Sequence, residues 1–339
     1  MTPKLQDQKD LQAPAPEHVP VMLDEVLQAT LPLEGHICDA TFGRGGYTKA
    51  FLDAAHKQST DLKITAIDRD ESAIAFGQQT FSEAIDKGLL TLHHARFSEI
   101  GSLFQPASLD AIVFDFGLSS PQVDTATRGF SFSKNGPLDM RMGLSTQTAA
   151  DFLNTASEAD IANVLREFGG EKYSRPLARK IVQVRPEKPF QTTQDLAALF
   201  QNAPPPRPGA IHPATRTFQA LRIWVNNELD EIKTALSLAP KLLKPGGRLV
   251  TVSFHEGEDR LAKHAFKPPQ KNVASRHQPY TLGYTKASSD LFDCPRPQPR
   301  FPSAPEIKRN PRARSARMRF GILKRPASGA APNTESAPG

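Results

Sequence analysis

Through the first 120 residues, short apolar runs that end in polar or acidic residues alternate with amphipathic stretches. His36-Ile37-Cys38-Asp39, residues 63–68 (KITAID), 89–93 (LLTLH) and 109–115 (LDAIVFD) each read as a strand. Helices are predicted between them, one from the glycine-rich turn after Asp39 to about Ala55, another over 72–81. Strands alternating with helices predict a parallel sheet covered on both faces, a doubly wound, Rossmann-like α/β fold. The run 109–115 is apolar enough for a central strand.

The alternation stops near residue 121. Residues 122–212 contain no strand pattern but two helix patterns. Ser157 precedes 158–168, where Ile161, Val164, Leu165 and Phe168 recur at helical spacing. Thr192 with Asp195 forms a capping box before Leu196, Leu199 and Phe200. Residues 202–209, with four prolines, read as a loop. The block predicts an inserted all-helical subdomain for substrate recognition. Beyond it, Phe218, Leu221, Val225, Leu229, Ile232 and Leu236 predict one long helix over 217–238. Lys244-Pro245-Gly246-Gly247 turns the chain into a fifth strand over 248–254. Residues 268–313 are proline-rich and read as loose; alternation at Ala316, Met318, Phe320 and Ile322 predicts a last strand on the sheet edge. The sheet domain is therefore discontinuous, 18–121 and 213–325, around the insertion at 122–212. Tails 1–17 and 326–339 are expected to be disordered.

Composition narrows the class. No window approaches the ~18 continuous apolar residues of a membrane span, and the polar start lacks the apolar core of a signal peptide. Two cysteines, Cys38 and Cys294, make neither a disulfide framework nor a zinc pattern, which points to the cytoplasm. The net charge of +6 is uneven: 260–325 holds 16 Lys/Arg against three acids, so the remainder is net negative. Such a segment is either a solvated face or a flank for a polyanion.

Candidate chemistry sits at the strand ends. Asp39-Ala-Thr-Phe-Gly43-Arg-Gly45-Gly46-Tyr47 lies between a strand and a helix, and Asp68 ends the next strand. Glycines let the backbone turn tightly and admit a ligand, while a strand-end acid accepts hydrogen bonds from ribose hydroxyls. Dinucleotide binding favours G-x-G-x-x-G and a helix N-terminus facing pyrophosphate. Here the glycines run G-x-G-G after Asp39, an acid better suited to a cationic ligand, so S-adenosylmethionine is the preferred cofactor. Asp39 either attracts that cation or caps the turn.

Asp115 opens the loop after the fourth strand, Asp115-Phe-Gly-Leu-Ser-Ser-Pro121-Gln122, and is the candidate catalytic residue. It can hold an amine whose nitrogen points at a methyl carbon, chemistry governed mostly by positioning. C5 methylation of cytosine needs a thiolate, and neither cysteine is well placed for one. No histidine pair has metal-ligand spacing, so no catalytic metal is expected. Arg128-Gly-Phe130-Ser-Phe132 and Asp139-Met-Arg141 have the makings of a grip on an extruded base, although both phenylalanines equally suit a core. His212, Arg216, Arg312 and Arg314 are candidate phosphate contacts.

These segments together resemble the bacterial 16S ribosomal RNA cytosine-N4 methyltransferases. The resemblance is carried by residues 18–25 (HVPVMLDE), 39–46 (DATFGRGG), 66–70 (AIDRD), 115–122 (DFGLSSPQ), 128–132 (RGFSF), 136–142 (GPLDMRM), 212–229 (HPATRTFQALRIWVNNEL), 245–249 (PGGRL) and 310–316 (NPRARSA). It implies a class I methyltransferase sheet, 16S ribosomal RNA of the small subunit as partner, and cofactor contacts at Gly45, Gly46, Tyr47, Asp68, Phe97, Asp115 and Gln122, with Asp39 and Gly43 in support. The sequence departs from the family at Tyr47, usually histidine, at Phe116, usually leucine, and at Glu256-Gly257, usually Ser-Leu. Other readings are a non-catalytic ribosomal RNA-binding assembly factor and an amino-methyltransferase acting on another nucleic acid. The SSPQ loop lacks the Asp/Asn-Pro-Pro-aromatic pattern common in the latter.

Overall fold

The structure is a computed structural model and describes residues 19–201, 212–267 and 291–325. The elements run α1 (Leu23–Thr30), β1 (Gly35–Asp39), α2 (Gly46–Gln58), β2 (Leu62–Asp68), α3 (Glu71–Thr80), α4 (Ser82–Asp86), β3 (Leu90–His94), α5 (Ile100–Leu103), β4 (Leu109–Asp115) and α6 (Ser120–Asp124). After these come α7 (Ala149–Thr155), α8 (Glu158–Gly169), α9 (Ser174–Val184), α10 (Thr193–Ala197), α11 (Ala214–Asn226), α12 (Glu228–Leu242), β5 (Leu243–Ser253), α13 (Glu256–Phe266), β6 (Phe292–Asp293), α14 (Ala304–Arg309) and β7 (Arg317–Leu323).

The seven strands form one sheet in the order β3-β2-β1-β4-β5-β7-β6. The first five are parallel, and β7 returns antiparallel to β5. Alternating side chains divide between two faces. Ile64, Val113, Val250 and Phe51 pack in one cluster, and Cys38, Ile112, Leu249 and Leu236 in the other. Burial on both faces explains why these strands are nearly continuous apolar runs. The winding order of the strands reverses between β1 and β4, so the carboxyl ends of β1, β2 and β4 meet where doubly wound sheets bind ligands.

The insertion is helical, as expected, with its own core. Phe152, Leu153, Ile161, Leu165, Ile181 and Leu196 form a third cluster. Ser157 caps α8 by accepting the Asp160 N–H, and Thr192 with Asp195 forms the capping box of α10. The expected helix over 217–238 is instead two helices. Asn227 has φ +51°, and this left-handed residue ends α11 and starts α12. The apolar stripe divides at the break: Phe218, Leu221 and Val225 enter the insertion's core, whereas Leu229, Ile232 and Leu236 cover the sheet. Two other expectations change. Strand β7 is not the edge, because two residues of β6 pair along it. Within the proline-rich segment, 291–313 carries α14 and part of a 3-10 turn, Pro311–Ser315. Residues 1–18, 202–211, 268–290 and 326–339, which include both expected tails, the 202–209 loop and His18, lie outside the described residues.

Candidate cofactor and substrate site

The turn after β1 is built by glycine geometry. Gly43 and Gly45 have φ +54° and +69°, and Gly45 caps α2. A Cβ on Gly45 would lie 2.6 Å from the Phe81 ring and 2.7 Å from the Phe42 ring, so no other residue fits there. Gly45 shapes the turn, while Gly43, Gly46 and Tyr47 line a cleft of about 370 Å³ at the strand ends.

Asp68, Phe97, Asp115 and Gln122 line the same cleft, so spacing in sequence became proximity in space. Asp68 accepts one backbone N–H on each oxygen, Gly43 at 2.7 Å and Asp70 at 2.8 Å. Each oxygen keeps a lone pair for a ligand hydroxyl. Burial pushes its pKa up to about 6, against those two hydrogen bonds. Phe97, Phe116, Ile232 and Met142 supply an apolar wall, with Phe97 tilted 6.0 Å from Phe116. Gln122 is held by the Ser119 N–H on its oxygen and donates to Asp70.

Asp115 ends the central strand, and its N–H donates to Thr41 Oγ1 at 2.7 Å. Its Oδ1 is shielded from solvent and has no hydrogen-bond partner among the described residues. Burial raises its pKa well above the usual carboxylate range, and the charges of Asp39 and Glu258 push the same way. Asp39 differs: it is fully buried, accepts from Thr48 Oγ1 at 2.7 Å and Thr41 N–H at 3.3 Å, and does not line the cleft. Its atoms perform the turn-capping role, and its charge still bears on Asp115. The Tyr47 hydroxyl is likewise engaged within the protein, donating to the Val21 carbonyl.

The residues expected to meet RNA fall into distinct groups. Arg128 pairs with Asp70 at 2.7 Å and donates to the Arg141 carbonyl, bolting the insertion to the sheet. Burial works to raise the Asp70 pKa, but Arg128, Gln122 and Ser72 outweigh it and hold the carboxyl below its usual value. Phe130 is in the insertion's core. Phe132 is partly buried, stacked on the exposed His212 at 4.7 Å, and His212 Nδ1 accepts the Ala214 N–H at the start of α11. Asp139 and Arg141 form a bidentate pair. Arg312 stands at the cleft rim, donating to Ser120 at 2.7 Å and Asp124 at 2.6 Å. Arg314 is exposed, and Arg216 is partly exposed. The basic surplus of the C-terminal segment is partly internal, because Arg317 and Arg319 both pair with Asp259.

One constellation escaped the sequence reading. Arg222 holds both oxygens of Glu228 at 2.8 Å and lies 3.6 Å from Glu258, while Glu228 lines the cleft. Glu228, His255 and Glu258 offer ligand atoms within 4.8 Å of one another. His255 Nδ1 accepts the N–H groups of Gly257 and Glu258, which assigns its proton to Nε2, 3.0 Å from Glu258. A protonated Nε2 and a guanidinium already on Glu228 make this an ion-pair network. Glu256, where the sequence departs from the family, is exposed, and the network uses Glu258 instead. No local pattern signals a network assembled from α11, α12 and α13.

No helix among the described residues is long and apolar enough to cross a membrane. The MraW methylase family matches residues 15–323. The "Ribosomal RNA small subunit methyltransferase H" of Sinorhizobium fredii is 47% identical over 309 residues, covering 90% of this chain and 87% of the relative. The protein of the same name from Bradyrhizobium diazoefficiens is 47% identical, covering 89% and 90%. That from Methylocella silvestris is 44% identical, covering 95% and 92%.

Proposed function

This chain belongs to the MraW methylase family, and from that premise we propose that it methylates the exocyclic N4 amine of a cytosine in 16S ribosomal RNA of the small ribosomal subunit. It is an S-adenosylmethionine-dependent methyltransferase. The observation that carries the substrate reading is Asp115. A shielded carboxyl with an unpartnered Oδ1 ends the central strand and opens on the cleft that also holds Asp68. This is an acceptor for an N–H, at the position where methyl transfer requires one.

The residues present fit the cofactor. Asp68 has the free lone pairs for two ribose hydroxyls, Phe97 and the apolar wall suit an adenine, and the turn leaves backbone room for the amino-acid end at Gly43, where a Cβ would meet nothing nearer than 3.8 Å. Gln122 braces the wall through Asp70. The cofactor supplies an electrophilic methyl group on a sulfonium cation. Asp115 orients the amine by accepting a hydrogen bond from one of its N–H groups, so that the nitrogen lone pair faces the reacting carbon, and the nitrogen sheds its proton after the new bond has formed. Positioning of this kind lowers a barrier without a strong base, because the nitrogen becomes acidic once it bears the new bond. The insertion at 122–212, joined by α11, serves as the recognition subdomain. Phe132, His212, Arg216, Arg312 and Arg314 are its RNA-facing candidates, whereas Arg128, Phe130, Asp139 and Arg141 maintain its shape. The cytoplasm, where small subunits are assembled, is the compartment of this reaction.

Incubation with labelled S-adenosylmethionine and unmethylated small subunits, followed by digestion to nucleosides, is expected to place the label in N4-methylcytidine. Label on C5, or none, ends the proposal. Asp115→Ala should lose at least about a hundredfold in rate while keeping its affinity for small subunits. An unchanged rate would remove Asp115 from the reaction.

A further inference from the structure

Residues 20–22 run along the cofactor cleft, fastened by the start of α2 at Pro20 and Val21 and by α14 at Met22. Pro20 lies against the glycine turn, where a Cβ on Gly46 would come within 2.3 Å of its ring. Val21 accepts the buried Tyr47 hydroxyl on its carbonyl. Met22, fully buried with φ +53°, donates its N–H to Glu306 Oε1 at 2.6 Å. Pro20 and Val21 line the cleft. Val21 and Met22 also share a cluster with Ala313 and Ala316, beyond α14. Asn310 and Arg312 line the same opening, and Arg312 donates to Ser120 and Asp124.

The Tyr47 hydroxyl and the Glu306 carboxylate are both engaged by the backbone of this segment, two residues of which line the cleft. A left-handed methionine is unfavourable without fasteners on either side, so the path of this strap depends on them. We propose that Tyr47 and Glu306 are positioning residues that hold the strap 20–22 across the cleft as the lid over S-adenosylmethionine. The inference rests on the cofactor reading above. Retention of the cofactor is then coupled to α14 and to the basic turn that follows it.

The test measures cofactor binding rather than turnover alone. Tyr47→Phe deletes one hydroxyl and keeps the ring stacked on Phe51. Glu306→Ala removes the acceptor, and Glu306→Gln retains an amide oxygen that can still take the Met22 N–H. Calorimetry and stopped-flow release on the full chain are expected to show the cofactor Kd raised about three- to tenfold by Tyr47→Phe and by Glu306→Ala, the loss appearing mainly as faster release. Glu306→Gln should recover most of that affinity. The KM for cofactor should rise more than kcat falls, and the double variant should be weaker than either single one by no more than about twofold, because both act through one strap. Unchanged affinity in both Tyr47→Phe and Glu306→Ala overturns the inference, as does a kcat that falls in step with affinity. Failure of the unaltered protein to bind S-adenosylmethionine would instead overturn the cofactor reading.

Discussion

Asp68→Asn separates the cost of the cofactor site from its use. In the folded protein burial holds the Asp68 carboxyl at about 6, against 3.8 for an ordinary aspartate. At about 1.4 kcal/mol per pH unit, the gap amounts to about 3 kcal/mol, an upper figure for the penalty of keeping this group ionised. The sign follows from the raised value. Below pH 4 the group is protonated in both folded and unfolded chains and contributes nothing. Between pH 4 and 6 the folded chain keeps its proton while the unfolded chain loses it, so stability falls as pH rises. Above pH 6 the penalty is complete. The variant has no such titration, although it loses a hydrogen bond to Gly43 or Asp70, an offset that does not vary with pH. Urea melts of both proteins without cofactor, from pH 4 to pH 8, should therefore show the stability of the natural protein falling by about 2–3 kcal/mol at most relative to the variant. Cofactor affinity of the natural protein should rise through pH 6, as Asp68 becomes the charged acceptor, and should be low and flat in the variant. A stability difference constant from pH 4 to pH 8 would refute the reasoning.

Two further substitutions probe the joints of the molecule. Arg128→Ala removes the 2.7 Å pair with Asp70 and strands a largely buried carboxylate. It should destabilise the protein by about 2–3 kcal/mol in urea melts, and a loss below 0.5 kcal/mol would show that the insertion docks without this bolt. Arg314→Ala, at an exposed site, should leave the Tm unchanged, weaken binding to small subunits, and reduce the salt dependence of that binding by about one in log–log slope. An unaltered slope would take Arg314 out of contact with phosphate.

The parallel sheet was legible because burial on both faces writes itself directly into sequence. Strand β4 begins and ends at Leu109 and Asp115, as its apolar run indicates, and Ser157 and Thr192 cap the helices expected to follow them. The helix over 217–238 misled for a specific reason. Asn227 turns left-handed without disturbing the apolar spacing from Phe218 to Leu236, so periodicity passes through the break unmarked. The break becomes visible only when the two halves are seen to bury their stripes in different clusters. Strand β6 was equally hidden, since two residues carry no period and its existence depends on pairing with β7. Helix α13 begins with Glu256-Gly257-Glu258-Asp259, a polar start whose cap is a histidine rather than a serine or threonine.

The acids at the strand tips were also legible, but their availability was not. Sequence places Asp39, Asp68 and Asp115 at comparable positions, and the structure assigns them graded roles. Thr41 and Thr48 occupy Asp39, two backbone N–H groups half-occupy Asp68, and Asp115 Oδ1 has no partner among the described residues. Two of the three, Asp68 and Asp115, share a cleft that Arg44, Arg69 and Arg312 also line, yet among the described residues neither acid forms an ion pair with them: Arg44 lies over the Phe76 ring, Arg69 donates to the Asn226 carbonyl and Ser145, and Arg312 pairs with Asp124. Burial raises the pKa of both acids, and the charge of Asp39 pushes the same way. A dinucleotide would bring further negative charge into that field, whereas a sulfonium relieves it. Two acids without an ion-pair partner among the described residues therefore suit a cationic cofactor. Cofactor binding and ionisation of these acids therefore favour one another.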